Sequence, residues 1–282
     1  MSDVLVIARL ALQEALRRRV LAVVAVLTVA SGALYIIGSV SLQHHLVGQT
    51  DFTTGGKLEP IVPATMLGLA SFGTLFLGSV LAVFLTAGAV RGDVDRGLVQ
   101  PLVVRPVGRA VYLGGRALAA VTVSGGYVLI VSALGTLTTR LVFTDLPPQA
   151  WQAIPPLVVG VMIVTMLTLL VSCLLSTVAT GISVLMAYGA GLVAGLLGEI
   201  AETFNATTLS RIADAVSYAL PFEALYRDSL ARLSPAGPLG QLVRLGPLGG
   251  AHEGGVGLWL YVLGYAVVCG ALAVRAFSRA DL

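Results

Sequence analysis

Lysine is almost missing from this chain. Lys57 is the only one in 282 residues, and Leu58 follows it. A phosphate-binding loop needs a lysine followed by Ser or Thr after a glycine-rich turn, because the ammonium reaches the outer phosphates and the hydroxyl holds magnesium. The chain is therefore not expected to hydrolyse nucleotides, and ATP, if used, must be bound by another polypeptide. Cysteine is nearly as scarce. Cys173 and Cys269 both fall inside apolar runs, which supports neither a disulfide framework nor a zinc cluster. The histidines are His44, His45 and His252, all in polar connections. The adjacent pair lacks cysteine or carboxylate support, so it reads as a solvated turn and no metal site is assigned. Charged residues make up only 11% of the chain, with no basic, aromatic-interleaved patch, so nucleic acid is not an expected partner.

What fills the chain instead is apolar. Hydrophobic residues account for 57% and the mean hydropathy is +0.94, far above soluble domains. They come in continuous blocks of about twenty, whereas transmembrane barrels alternate in segments of about ten. The expected fold is an all-α polytopic membrane protein, one transmembrane domain over 1–282, with the lipid bilayer as its solvent. Six spans are expected at about 20–40, 63–90, 118–137, 157–175, 180–197 and 258–274. The second, at roughly 28 residues or about 42 Å, exceeds a hydrocarbon core of about 30 Å and is expected to tilt or project into water.

Before the first span, VLVIARLALQEALRR puts Leu5, Ala8, Leu12 and Leu16 on one side and Arg9, Gln13 and Arg17 on another. This predicts an amphipathic helix on the membrane surface, stopped by Arg17, Arg18 and Arg19. A basic start before an apolar run also suits a signal peptide, but the run is long and no clear A-x-A site follows, so it is read as retained. The fourth and fifth spans are joined by a few residues around Ser176 and Thr177 and must be antiparallel. In 199–257, six acids and four arginines mix with prolines and glycines, and two short amphipathic helices are predicted on either side of Pro221. No acid or base is expected at mid-membrane depth, which argues against an ion-coupled carrier or an intramembrane protease.

Six spans leave both termini on one side. That side would carry Arg9, Arg17, Arg18, Arg19, Arg91, Arg96, Arg105, Arg109, Arg116, Arg275 and Arg279, against one basic residue in each short opposite connection. The positive-inside rule places it in the cytoplasm, and the expected location is the cytoplasmic membrane.

A charged island, RGDVDRGLVQPLVVRPVGRAVYLGGR, separates the second and third spans over 91–116. It is either a solvated loop that fixes topology or a docking element for a soluble partner; Arg91, Asp93, Asp95 and Arg96 suit salt bridges at a protein surface. Within the spans, Ser71, Thr74, Gly78 and Ala82 share one face of the second, and Met162, Thr165, Met166, Leu169, Cys173 and Ser176 one face of the fourth. Small and hydroxylated residues serve helix packing or a translocation path. An apolar interior with scattered hydroxyls and thioethers admits a lipid, an amphipathic drug or a hydrophobic peptide. In the fifth span Ala187, Gly191 and Gly195 repeat every four residues, a face for close contact within the chain or with a second copy.

This order of parts resembles the six-span permease subunits of bacterial ABC exporters, the type V exporter fold, over essentially the whole chain. It is similar to the permease of the transporter used in nitrous oxide reductase maturation. The resemblance rests on the entry helix IARLALQEALRRRV, on LPFEALYRD before the last span, and on the island. There Asp93, Asp95, Arg96, Gly97, Arg105, Pro106, Arg109, Gly115 and Arg116 stand at the family's positions, and Leu98 replaces its usual hydroxyl. It implies a coupling helix at 91–116 that fits a groove on a separate cytoplasmic ABC ATPase, with ATP and Mg bound there and no cofactor here. It also implies a second permease, a copy or a paralogue. The competing classes are a membrane scaffold or sensor that docks a partner without moving a solute, and a secondary carrier.

Overall fold

The computed structural model describes residues 3–16, 19–48, 61–89, 108–143, 146–204, 207–234 and 254–279. Every regular element in them is helical: α1 (Asp3–Leu16), α2 (Arg19–Gly48), α3 (Ile61–Thr86), α4 (Arg109–Val142), a 3-10 turn (Ala150–Ala153), α5 (Ile154–Ser172), α6 (Thr177–Phe204), α7 (Thr207–Ala219), α8 (Phe222–Leu233) and α9 (Val256–Arg279). Of these, α2, α3, α4, α5, α6 and α9 are long and apolar enough to cross a membrane. A helix satisfies its backbone donors and acceptors internally, which a hydrocarbon solvent demands, so the chain is an all-α polytopic membrane protein.

An even number of crossings brings α1 and the end of α9 to one end of the bundle, the terminal end. The 3-10 turn lies at the far end. The centre is built by α3, α4 and α5, where Leu75, Ala82, Val128, Leu157 and Val161 form one buried cluster. In contrast, α2 stands at the periphery with Val26, Val29, Leu34 and Ile37 exposed, the face a bilayer would cover. Two hydroxyl pairs attach it to α4: Thr28 Oγ1 and Tyr127 Oη at 2.6 Å, and Tyr35 Oη and Thr139 Oγ1 at 2.5 Å.

Helix limits differ from the sequence expectation in an informative way. The second span, 26 residues or about 39 Å, is longer than a hydrocarbon core of about 30 Å, and the third is longer still. At 1.5 Å per residue, the 34 residues of α4 measure about 51 Å. The second stops at Thr86 and closes in a turn, with the Ala87 N–H donating to Val83 O and the Ala89 N–H to Thr86 O. Ala89 is buried there. The fifth continues to Phe204, taking 199–204 from the segment expected outside the membrane. A tight turn over 173–176 makes α5 and α6 an antiparallel pair.

The entry helix forms over Asp3–Leu16. Ala8, Ala11 and Ala15 are buried while Leu5, Val6 and Leu10 are exposed, and α1 packs along the terminal-end half of α4. Gly115 permits this approach, since a Cβ there would lie 2.8 Å from Ile7 Cβ and 3.1 Å from Val4 O. Methyl-sized side chains let two backbones come close, and that packing outranks the larger leucine face, which is left for lipid.

Candidate functional site

Residues Arg91, Asp93, Asp95, Arg96, Gly97, Arg105 and Pro106 lie outside the described residues, as does the side chain of Arg109, the first residue of α4. What the structure describes is the seat on which that stretch is mounted. Ala89 closes one side of it and Gly108 opens the other, accepting at its carbonyl from the N–H groups of Val111 and Tyr112. Both sides reach one packed cluster of Ala89, Leu113, Leu169, Cys173, Ala273 and Phe277, drawn from the ends of α3, α4, α5 and α9. The rings of Tyr112 and Phe277 lie 6.1 Å apart within it. Beside it, Arg116 Nη1 donates to Glu14 Oε2 of α1 at 2.8 Å, and the guanidinium carbon sits 5.7 Å from the Tyr112 ring centroid. Five helices thus converge where the charged island begins and ends.

The polar faces of the spans are occupied by neighbours. Gly78 faces α4 and α5 so closely that a Cβ would meet Val128 Cγ2 at 2.4 Å. Thr165 donates to Val161 O, and its hydroxyl pairs with Ser124 of α4 at 3.1 Å. Met162 lies over Gly125, while Met166 is half-buried. Ser71 and Thr74 turn back to Leu67 O and Ala70 O. Together with Ser132 and Thr136 they line a cavity of about 10 Å³ towards the far end, on the order of one water molecule.

The glycine face of α6 is filled from within the chain. Gly191 has the Phe222 ring against it, and Gly195 has the Glu223 carboxylate and Arg227 guanidinium. Ala187 is half-buried on the same side. This follows from the arrangement of α7 and α8, which sequence reasoning placed outside the bundle. α7 packs along α6 and α8 against α5, and the two meet at Pro221 and Phe222, beside the middle of α6. Phe222, Glu223, Leu225, Asp228 and Ser229 are buried. Two acids, Glu223 and Asp228, are therefore buried inside the bundle. Glu223 pairs with Arg227, which also donates to Gly195 O at 2.6 Å. Asp228 pairs with Arg232 at 3.0 Å and accepts from the Gly254 N–H at 2.8 Å, ahead of α9. The missed signal was the spacing: each acid has an arginine four residues later, so both charges are matched on one helix face before any tertiary contact forms.

A family model for ABC-2 family transporter proteins matches residues 5–282. The chain belongs to this family. A search of curated proteins finds no match to it. As an ABC-2 transporter protein it is a multi-pass membrane permease, and membership implies an ABC ATPase as its working partner. In this permease the described helices give a bundle with a seat for a polar stretch at the terminal end, and α8 is buried against α5, α3 and α6.

Proposed function

We propose that this ABC-2 permease is the membrane subunit of an exporter in the cytoplasmic membrane. The terminal end faces the cytoplasm, and residues 91–109 engage a separate ATPase that binds and hydrolyses Mg-ATP. A second permease, a copy or a paralogue, completes the path. The observation that carries this reading is the convergence of α3 and α4, with α5 and α9, on the cluster around Phe277. A displacement applied to 90–107 enters two spans at once at that point, whereas a loop that only fixed topology would need no such seat. The order of Asp93, Asp95, Arg96, Arg105, Pro106 and Arg109 along the island resembles that of exporter permeases and adds to the case.

The test replaces Asp95 and Arg96 by alanine together. Purified with its ATPase in lipid, the variant is expected to insert and fold as the parent does, while permease-stimulated ATP hydrolysis is lost. Undiminished stimulation would remove these residues from coupling. A scaffold that moved nothing would bind the ATPase without stimulating it, and the parent protein distinguishes that outcome directly.

A further inference from the structure

The stretch 90–107 is joined to the bundle by α4 on one side, and α4 does not stand alone there. α1 lies along its first turns through two kinds of contact. One is steric. Gly115 meets Val4 O and Ile7, and Ala8, Ala11 and Ala15 are buried. Ile7 seats over Gly115, and the small alanines leave the rest of the contact shallow. The other contact is directional: Arg116 Nη1 donates to Glu14 Oε2 at 2.8 Å, with the arginine side chain 12% exposed and the glutamate 38% exposed. Ala11, Ala15, Leu85, Ala89, Ala119 and Ala120 lie around this pair. The steric contact sets how closely the two helices approach, and the charge pair adds a directional hold on their register.

We propose that Glu14 is a positioning residue for ATP coupling: by holding Arg116 it locks α1 to the first turns of α4, so that the two move as one body when the adjoining stretch 90–107 is displaced. Work done on α4 is then shared with α1. Tyr112 shapes the site by lying against the same guanidinium, with Arg116 Nε donating to its hydroxyl at 3.3 Å. The inference rests on the reading that this end of the permease is driven by an ATPase.

The experiment uses the full chain with its co-purifying ATPase in lipid. Glu14→Gln removes the charge with almost no change in size, at a position already partly open to solvent. It is expected to leave the ATPase bound and lower its stimulation about fivefold. The charge-exchanged protein, Glu14→Arg with Arg116→Glu, is expected to regain it. Spin labels at Arg9→Cys on α1 and Ala110→Cys on α4 give a readout that a merely structural role would not move. The two positions are exposed, and the native Cys173 and Cys269 are buried. In the parent the label separation stays the same without nucleotide and with the trapped nucleotide. In Glu14→Gln it is unchanged without nucleotide and broadens on trapping. Full stimulation in Glu14→Gln, or a charge exchange that restores nothing, overturns the inference while leaving the proposed function standing. A parent chain that neither binds nor stimulates an ATPase overturns both.

Discussion

The ring of Phe222 occupies the space in which Gly191 would carry a side chain, and it stacks on Tyr188 with centroids 4.8 Å apart and planes 16° apart. A Cβ at 191 would stand 2.6 Å from Phe222 Cζ, closer than real atoms come. Gly191→Ala is therefore expected to lower the thermal midpoint of the purified protein, at a cost of about 1–3 kcal/mol. Gly189, two residues away, has nothing within 4 Å. Gly189→Ala is expected to be neutral or to stabilise by about 0.5–1 kcal/mol through helix propensity. Equal behaviour of the two alanines in a thermal scan would contradict the seat described for the Phe222 ring.

Breaking the Glu223–Arg227 pair is expected to be costly, because the glutamate side chain is 5% exposed and the arginine 20%. Glu223→Ala leaves the arginine among apolar neighbours and should lose about 3 kcal/mol. Replacing both by leucine removes the charges together and should recover most of that loss. Denaturant titration of the two variants against the parent measures the difference. A double variant no better than the single one would mean that the pair itself supplies the stability.

The attachment of α2 makes a separate forecast. Most of its apolar side chains face outward apart from Val24 and its neighbours, and two hydroxyl pairs to Tyr127 and Thr139 tie it to α4. Thr28→Val with Tyr35→Phe is expected to cost about 1–2 kcal/mol in total, the usual range for interhelical bonds in lipid. Limited proteolysis near residue 19 should quicken accordingly. No change in rate would assign the attachment to apolar contact alone.

The orientation can be read chemically. Gln149 and Arg279 are both exposed, at opposite ends of the bundle. An impermeant maleimide is expected to label Gln149→Cys in intact cells, and Arg279→Cys only after the membrane is opened. The reverse pattern would put residues 91–109 outside the cell and end the exporter reading.

The six crossings were legible because each holds about twenty apolar residues, which only a membrane interior or a large core accommodates. Their limits were less legible, for a physical reason visible at Arg116. A helix that leaves the bilayer while packed on another helix can carry charge and glycine, so Gly114, Gly115 and Arg116 looked like a loop although they belong to α4. The same contact hid the inward face of α1, since Ala8, Ala11 and Ala15 have weak hydropathy but make close packing possible. Most opaque was α8. Its acids and arginines suggested water, yet four-residue spacing lets Glu223 with Arg227, and Asp228 with Arg232, enter the bundle as matched pairs. The island residues 91–107 were assigned by their order in the sequence alone.

Near its midpoint, helix α4 is held where Met162 presses on Gly125 and Ser124 meets Thr165. A stiff rod about 51 Å long with a fulcrum at its centre is a seesaw. A tilt of about 5° moves each tip by roughly 2 Å in opposite directions, given a half-length of about 25 Å. Thr139, near the far tip, is the anchor of Tyr35. A push on Arg109 would thus swing the first crossing the other way, and news of an event at one membrane face would reach the opposite face with no change inside any helix.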